Sequence, residues 1–253
     1  MDVRGPRPDD AGGARSTRHP PSAYPMTPLT GISSMATRQV LADLTGAYER
    51  ETGAKVAIES VGGVDAAKRV RAGERFDVVI LASNVVDQLI AEGHALPDGR
   101  VDLVRSGVAI AVRAGAPRPD IGTEDAVREA VRRARSVGYS TGPSGDYLAK
   151  LFERWGIADE IAGRIVKPAP GIPVGKQVAE GAVELGFQQL SELEFLPGID
   201  VVGPLPPAIQ LVTTFSAGVC STSSQPGDAR RLLAYLASPA TAEVKRRNGM
   251  DPA

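Results

Sequence analysis

Six short stretches of this sequence are built from glycine, hydroxyl, amide or other compact side chains. They are Gly31-Ile32-Ser33-Ser34-Met35-Ala36-Thr37, Val61-Gly62-Gly63-Val64-Asp65 and Ala82-Ser83-Asn84. Further along come Tyr139-Ser140-Thr141-Gly142-Pro143-Ser144-Gly145-Asp146, Pro170-Gly171-Ile172-Pro173-Val174-Gly175 and Phe187-Gln188-Gln189-Leu190-Ser191. Most follow a run that reads as a strand and precede a helical pattern, so most open a helix. A helix start offers unpaired backbone N–H groups and about half a positive charge. Small side chains let an anion reach those groups, and hydroxyls add directed donors. Taken singly, such stretches are ordinary caps and turns. Six in series, at equivalent strand ends, point to one small anion held by several turns. The candidate ligand-binding positions are therefore Ser33, Ser34, Gly63, Ser83, Ser140, Thr141, Pro143, Ser144, Gly145, Val174, Gly175, Gln188 and Gln189. The fourth stretch is the richest.

Other chemistries are poorly supplied. The single cysteine, Cys220, lies in an apolar-to-small run and reads as a buried structural thiol. Of two histidines, His19 falls in the N-terminal stretch and His94 in a loop after Gly93, so neither a Ser-His-Asp triad nor a metal site is expected. The stretch 142–145 lacks the Lys-Ser/Thr ending of a phosphate loop, and no G-x-G-x-x-G follows the first strand. No cofactor is expected. Acidic and basic residues nearly cancel, 30 against 29, and no basic helix-turn-helix region is present, which disfavours nucleic acid as a partner. Arg69, Arg71 and Arg75 read as a solvated helix face, as does the cluster Arg128, Arg132, Arg133 and Arg135. Asp77 reads as a strand-edge residue. No stretch approaches the roughly 20 apolar residues that span a bilayer. Residues 1–26 carry four arginines among Pro, Gly, Ser and Asp, without the apolar core of a secretory signal. They read as a disordered tail or a mis-assigned start, with Met26 the other candidate beginning. The expectation is a cytoplasmic protein, or a periplasmic or extracellular one if the start is wrong.

The elements that must position these turns alternate. Strands are expected at residues 29–33, 55–59 and 76–81, with helices at 37–52, 66–71 and from Ser83 as cap to 92. The run Phe76-Asp77-Val78-Val79-Ile80-Leu81 is of the kind a buried parallel strand needs. A long extended stretch at 102–113 leads to a second series: helices at 124–134, 144–154 and 174–180, and strands at 136–140, 164–168, 183–187 and 199–202. A second extended stretch covers 210–219, and helices at 226–237 and 239–248 close the chain. A β-α-β-α-β order requires right-handed crossovers and a sheet covered on both faces. Two extended stretches bracketing a complete α/β series imply two lobes: residues 27–108 with 211–253, and residues 109–210. Two crossing strands would form the hinge, and the cleft beside it would face the helix starts of both lobes.

Several segments carry a family resemblance: Tyr48-Glu49-Arg50-Glu51-Thr52-Gly53, Val70-Arg71-Ala72-Gly73 before Asp77-Val78-Val79-Ile80, and Pro143-Ser144-Gly145-Asp146-Tyr147-Leu148-Ala149-Lys150. Leu236-Ala237-Ser238-Pro239-Ala240-Thr241-Ala242 is another. In their order and spacing, residues 29–250 resemble the molybdate-binding proteins of ABC transporters, which have the α/β, two-lobed type 2 periplasmic-binding-protein fold. The resemblance implies a hinge and an oxyanion held between lobes by hydroxyls and main-chain N–H groups. It departs at the site. Ala36 and Gly62-Gly63-Val64 stand where the family places two serines, and Gln188 or Gln189 where a tyrosine often closes the site. A larger, flatter carboxylate suits glycines and amides better than a compact tetrahedral anion. One enzyme is associated with this fold family, aconitate isomerase, which interconverts trans- and cis-aconitate.

With no secretory signal read in the sequence, the expectation is an intracellular binder and isomerase that shifts a proton across a small unsaturated carboxylic acid. The alternatives are the oxyanion-binding subunit of an ABC transporter, with a permease as its partner, or a non-catalytic anion carrier. A 1,3-proton shift needs a base beside an allylic C–H and donors for the developing enolate-like charge. Lys176, Asp65 and Ser144 are the candidate proton carriers, with Asp146 and Ser34 as further possibilities.

Overall fold

The structure, a computed structural model, describes residue 1 and residues 27–169 and 172–253. The expected tail, His19 included, and Pro170-Gly171 of the fifth glycine-rich stretch lie outside the described residues.

The first lobe opens with β1 (Leu29–Ser34), α1 (Arg38–Thr52), β2 (Val56–Val61), α2 (Gly63–Arg71), β3 (Val78–Ala82) and α3 (Ser83–Ala91). Val40, Leu41, Leu44 and Tyr48 recur at helical spacing and form the buried stripe of α1. Every residue of β3 is buried, as a strand covered on both faces requires. β1 pairs with β2 and β3, in parallel in both cases. β4 (Val101–Arg113) then carries the chain into the second series. That series runs α4 (Glu124–Arg133), β5 (Val137–Tyr139), α5 (Pro143–Arg154), α6 (Ala158–Ile161), β6 (Ile165–Val166), α7 (Val174–Ala179), β7 (Leu185–Gln189), α8 (Leu190–Leu193) and β8 (Ile199–Pro204). β9 (Val212–Val219) returns to the first sheet, and α9 (Pro226–Ala237), α10 (Ala242–Arg247) and β10 (Asp251–Pro252) end the chain.

The strand order is β2-β1-β3-β9-β4-β7-β5-β6, and β4 belongs to both halves. Its residues Val101 to Gly107 pair with β9, and from Val108 it pairs with β7. The apolar core divides at the same place. One set of buried residues includes Leu29, Leu44, Val78, Leu103, Phe215 and Leu232, and another includes Val108, Val131, Leu148, Phe152, Phe187 and Ile209. The fold is α/β and two-lobed. Where the two connecting segments meet, the Gln210 side chain takes over the ladder. Its Oε1 accepts from Val108 N–H at 2.9 Å and its Nε2 donates to Val108 C=O at 3.0 Å. For this reason β9 starts at Val212 rather than at the expected residue 210.

Other differences are local. α2 starts three residues earlier than its apolar pattern, at Gly63. Ser83 is the first residue of α3, and Ala82 takes the capping position, so the expected Ser83 side-chain cap is absent. Val183 lies in a turn, its N–H donating to Gln177 C=O, and β7 therefore begins at Leu185. Asp77 is buried just before β3, where it accepts from Thr30 N–H at 2.8 Å and from the Ser223 hydroxyl at 2.6 Å. Cys220 is buried in the first lobe, and desolvation pushes its thiol up to about 12, which keeps it protonated and inert. Among the described residues no helix is long and apolar enough to cross a membrane.

Candidate functional site

A cavity of about 340 Å³ lies where the turns of the two lobes face each other. The first lobe lines it with Ser34, Met35 and Ala36 between β1 and α1, with Gly62, Gly63 and Val64 at the start of α2, and with Leu81 and Ala82 at the end of β3. Ser34 fixes the first of these turns, its hydroxyl accepting from Ala36 N–H at 3.3 Å and its carbonyl from the Thr37 hydroxyl at 2.9 Å. The second lobe adds Ser140 to Ser144, Gln188, Gln189 and Glu192.

The loop before α5 is shaped by two glycines. Gly142 caps the helix at φ +132°, a backbone region other residues avoid, and Pro143 follows at the first helical position. Gly145 packs so closely under the loop that a Cβ there would run into the Ser140 carbonyl. This tight return brings the Ser140 and Ser144 hydroxyls within 3.0 Å of each other at the cavity wall.

The most distinctive group is one the sequence reading missed. Glu192 sits on α8, a single turn directly after β7, and is one of the residues that line the cavity. Gly175 N–H donates to Gln188 Oε1 at 3.1 Å, which fixes the orientation of that amide, and Gln188 Nε2 donates to Glu192 Oε2 at 2.6 Å. Burial raises the Glu192 carboxyl to about 7, and the Gln188 hydrogen bond only partly opposes that rise. Near neutral pH this group can therefore both accept and give up a proton. The opposite face of α8 is anchored: Leu193 is fully buried against Ala109 and Ala111. The Ser191 hydroxyl donates across the lobes to Ala36 C=O at 2.9 Å.

The structure brings together Ser34, Gly63, Ser140, Thr141, Pro143, Ser144, Gln188 and Gln189 around this cavity. The other expected positions lie elsewhere. Ser33 is fully buried with its hydroxyl 2.8 Å from that of Ser60; as the neighbour of Ser34 in a strand it points to the opposite face. Ser83 lines an adjoining groove with Asn84 and Lys150. Gly145 supports the loop from beneath, Val174 is in the core, and the Gly175 N–H is taken by Gln188. Lys176 is exposed, 3.9 Å from Glu180, and Asp65 is exposed on α2; neither lines the cavity, which corrects the expectation that they carry a proton. Gln188 and Gln189 line the cavity, but their amides are committed. Gln189 lies against the Ser106 carbonyl, which only accepts, so its nitrogen donates there at 3.0 Å and its oxygen accepts from the Thr213 hydroxyl.

Arg71, expected on a solvated face, reaches the cavity rim while paired with Glu92 at 2.7 Å. It is the one cationic side chain lining the cavity among the described residues, so a bound anion would be met mainly by hydroxyls and backbone dipoles. Asp146 also lines the cavity and is exposed. Among the described residues no group of three His, Cys, Asp or Glu side chains is placed to hold a metal ion.

Residues 29–251 match the family model of the bacterial extracellular solute-binding proteins. The chain is 40% identical over 237 residues to an aconitate isomerase from a Pseudomonas species, covering 91% of this chain and 90% of that protein. Among solved structures, the periplasmic molybdate-binding protein of Azotobacter vinelandii superposes with a TM-score of 0.73 at 20% identity, covering 88% of this chain and 98% of the other. A sulfate-binding protein from Mycobacterium tuberculosis gives 0.72 at 14% identity, covering 90% and 87%. These two likenesses establish the fold alone.

Two outcomes follow from the geometry. Gly145→Ala forces a methyl group into the Ser140 carbonyl and lowers the unfolding free energy in urea by about 1–3 kcal/mol. The second concerns Glu192, whose native carboxyl binds its proton more tightly than the ordinary value of 4.5 allows. Stability contributed by that proton is therefore lost as pH rises from about 4.5 through about 7. Glu192→Gln removes this slope, and at pH 7.5 the variant is more stable than the parent by on the order of 2–3 kcal/mol. Urea titrations of both proteins at pH 4.5 and 7.5 measure the difference.

Proposed function

This chain belongs to the bacterial extracellular solute-binding protein family, and from that premise we propose that it is an isomerase that moves a proton along a small unsaturated polycarboxylic acid held between its lobes. The observation that carries this reading is a carboxyl, Glu192, with no cationic partner among the described residues, at a cavity lined mainly by hydroxyls and helix starts. In a pure anion binder, an ionised Glu192 would repel the cargo. In an isomerase, the same group is the proton acceptor the reaction needs. The aconitate isomerase relative supports the choice of reaction and suggests aconitate as the first substrate to try.

The remaining geometry fits that chemistry. Abstraction of an allylic proton next to a carboxylate spreads negative charge into the carbon framework and onto the carboxylate oxygens. The hydroxyls of Ser34, Ser140, Thr141 and Ser144 and the start of α2 surround the place where that charge would develop, as electrostatic stabilisation of a transition state requires. Ala36, Gly62 and Gly63 keep the first-lobe wall shallow, which leaves room for a planar, branched acid. The volume is at the lower end of small-molecule sites, matched to a metabolite of a few carbons.

One observation favours a second reading. Protonated Glu192 could donate to an oxyanion, and the solved structures that share the fold include molybdate- and sulfate-binding proteins. The two readings separate in one experiment. Incubated with trans-aconitate in deuterated water, the protein is expected to replace the vinylic and methylene hydrogens with deuterium and to form cis-aconitate, followed by proton NMR. If no di- or tricarboxylate exchanges while molybdate, tungstate or sulfate raises the melting temperature, the protein binds without turnover.

A further inference from the structure

We propose that Glu192 is the catalytic residue that carries the proton and that Gln188 is its positioning residue. This inference rests on the isomerase reading and adds the group that performs it. The geometry singles out Glu192 by elimination and by construction. The cavity holds two carboxylates among the described residues, Glu192 and Asp146. Asp146 lies in the first turn of α5 and is exposed to water. Ser144 lies against Ser140, and among the described residues no histidine lines the cavity to activate either hydroxyl. Glu192 instead lies in the wall beside the interlobe contact of Ser191 with Ala36.

The carboxyl is also held in one orientation. The hydrogen-bond chain from Gly175 N–H through Gln188 ends on Glu192 Oε2. It leaves Oε1 as the oxygen without a hydrogen-bond partner among the described residues. The elements packed around α8 are β7, β4, β8 and the turn at Met35 to Thr37. No charge from any of them shapes the Glu192 titration, which responds to burial and to Gln188. Among the described residues, the other charged groups lining the cavity are Arg71, paired with Glu92, and Asp146.

In the forward step, the Glu192 carboxylate takes a proton from the methylene carbon of the bound acid. A C–H bond breaks, an O–H bond forms, and the electron pair enters the allylic carbon framework and its conjugated carboxylate. Glu192 then returns a proton to the far allylic carbon. A C–H bond forms there, the double bond ends one position over, and Glu192 is again a carboxylate. Atoms and charge balance without an oxidant, a reductant or water.

The test uses the full chain and its Glu192→Gln and Gln188→Met variants. For Glu192→Gln, melting with trans-aconitate still shows a ligand-induced rise, while deuterium incorporation falls by at least about 100-fold, the usual contribution of a positioned acid or base. Gln188→Met removes the hydrogen bond that favours the ionised carboxyl, so the acid limb of the pH–rate profile moves to higher pH, a change that loss of packing alone would not produce. Deuterium incorporation by Glu192→Gln within tenfold of the parent overturns the assignment, while exchange by the parent still upholds the isomerase reading, which then rests on the aconitate isomerase relative and the anion-binding turns. A parent protein that binds trans-aconitate without any exchange overturns the isomerase reading and, with it, this role for Glu192. Carboxyl-carbon NMR of glutamate-labelled protein separates the cases further. A resonance missing from Glu192→Gln that moves when trans-aconitate is added supports the assignment, and one that does not move overturns it.

Discussion

The hydrogen-bond chain from Gly175 through Gln188 to Glu192 holds an acid where the surroundings neither ionise it freely nor neutralise it with a cation. A carboxyl enclosed in this way is normally expensive, because burial disfavours its charged form and a missing partner would leave it unsatisfied. Here the cost is limited by one amide whose own oxygen is fixed by a backbone donor. That arrangement depends in turn on the start of α7 reaching the end of β7, where Gly175 N–H meets Gln188, and on α8 following β7 directly. The stability given up at this point and the proton chemistry obtained there have the same physical origin.

Two lobes on one shared strand are what bring donors from distant parts of the sequence to this carboxyl. β4 pairs with β9 in one half and with β7 and β8 in the other, so the sheet is continuous while the core is divided. Strand ends of both halves open toward a common gap, and helices begin there. The Gln210 side chain bridges the crossing point through both polar groups of Val108, and Ser191 bonds to Ala36 across the gap. The cavity is therefore framed by contacts that belong to the hinge itself.

Much of this was legible in the sequence. Alternating apolar runs and helical patterns place most strands and helices to within a few residues, because buried strands and amphipathic helices have distinct periods. The glycine and hydroxyl turns also mark where the helices open. What periodicity does not reveal is how side chains are committed. Ser33 and Ser34 are adjacent and chemically alike, yet strand alternation sends one to Ser60 and the other to the cavity. Gln188 and Gln189 look like free amide donors, but one is spent between Gly175 and Glu192 and the other between β4 and β9. Glu192 escaped notice because α8 spans one turn, too short for any helical pattern. Its place just past the Gln188-Gln189 strand end, in the turn that follows the sixth stretch, was the available signal. Lys176 and Asp65 show the reverse error: both follow promising turns, and both point to solvent.

The central claim is that the substrate lies with its allylic carbons against Glu192 and its carboxylates against the turns of both lobes. A crystal structure of the Glu192→Gln variant with trans-aconitate tests it most directly. The account predicts the methylene carbon within about 3.5 Å of the side-chain oxygen at position 192, with substrate carboxylates on the Ser34 turn, the start of α2 and the Ser140–Ser144 loop. A substrate carboxylate placed against position 192, or a ligand bound outside the interlobe cavity, would contradict it.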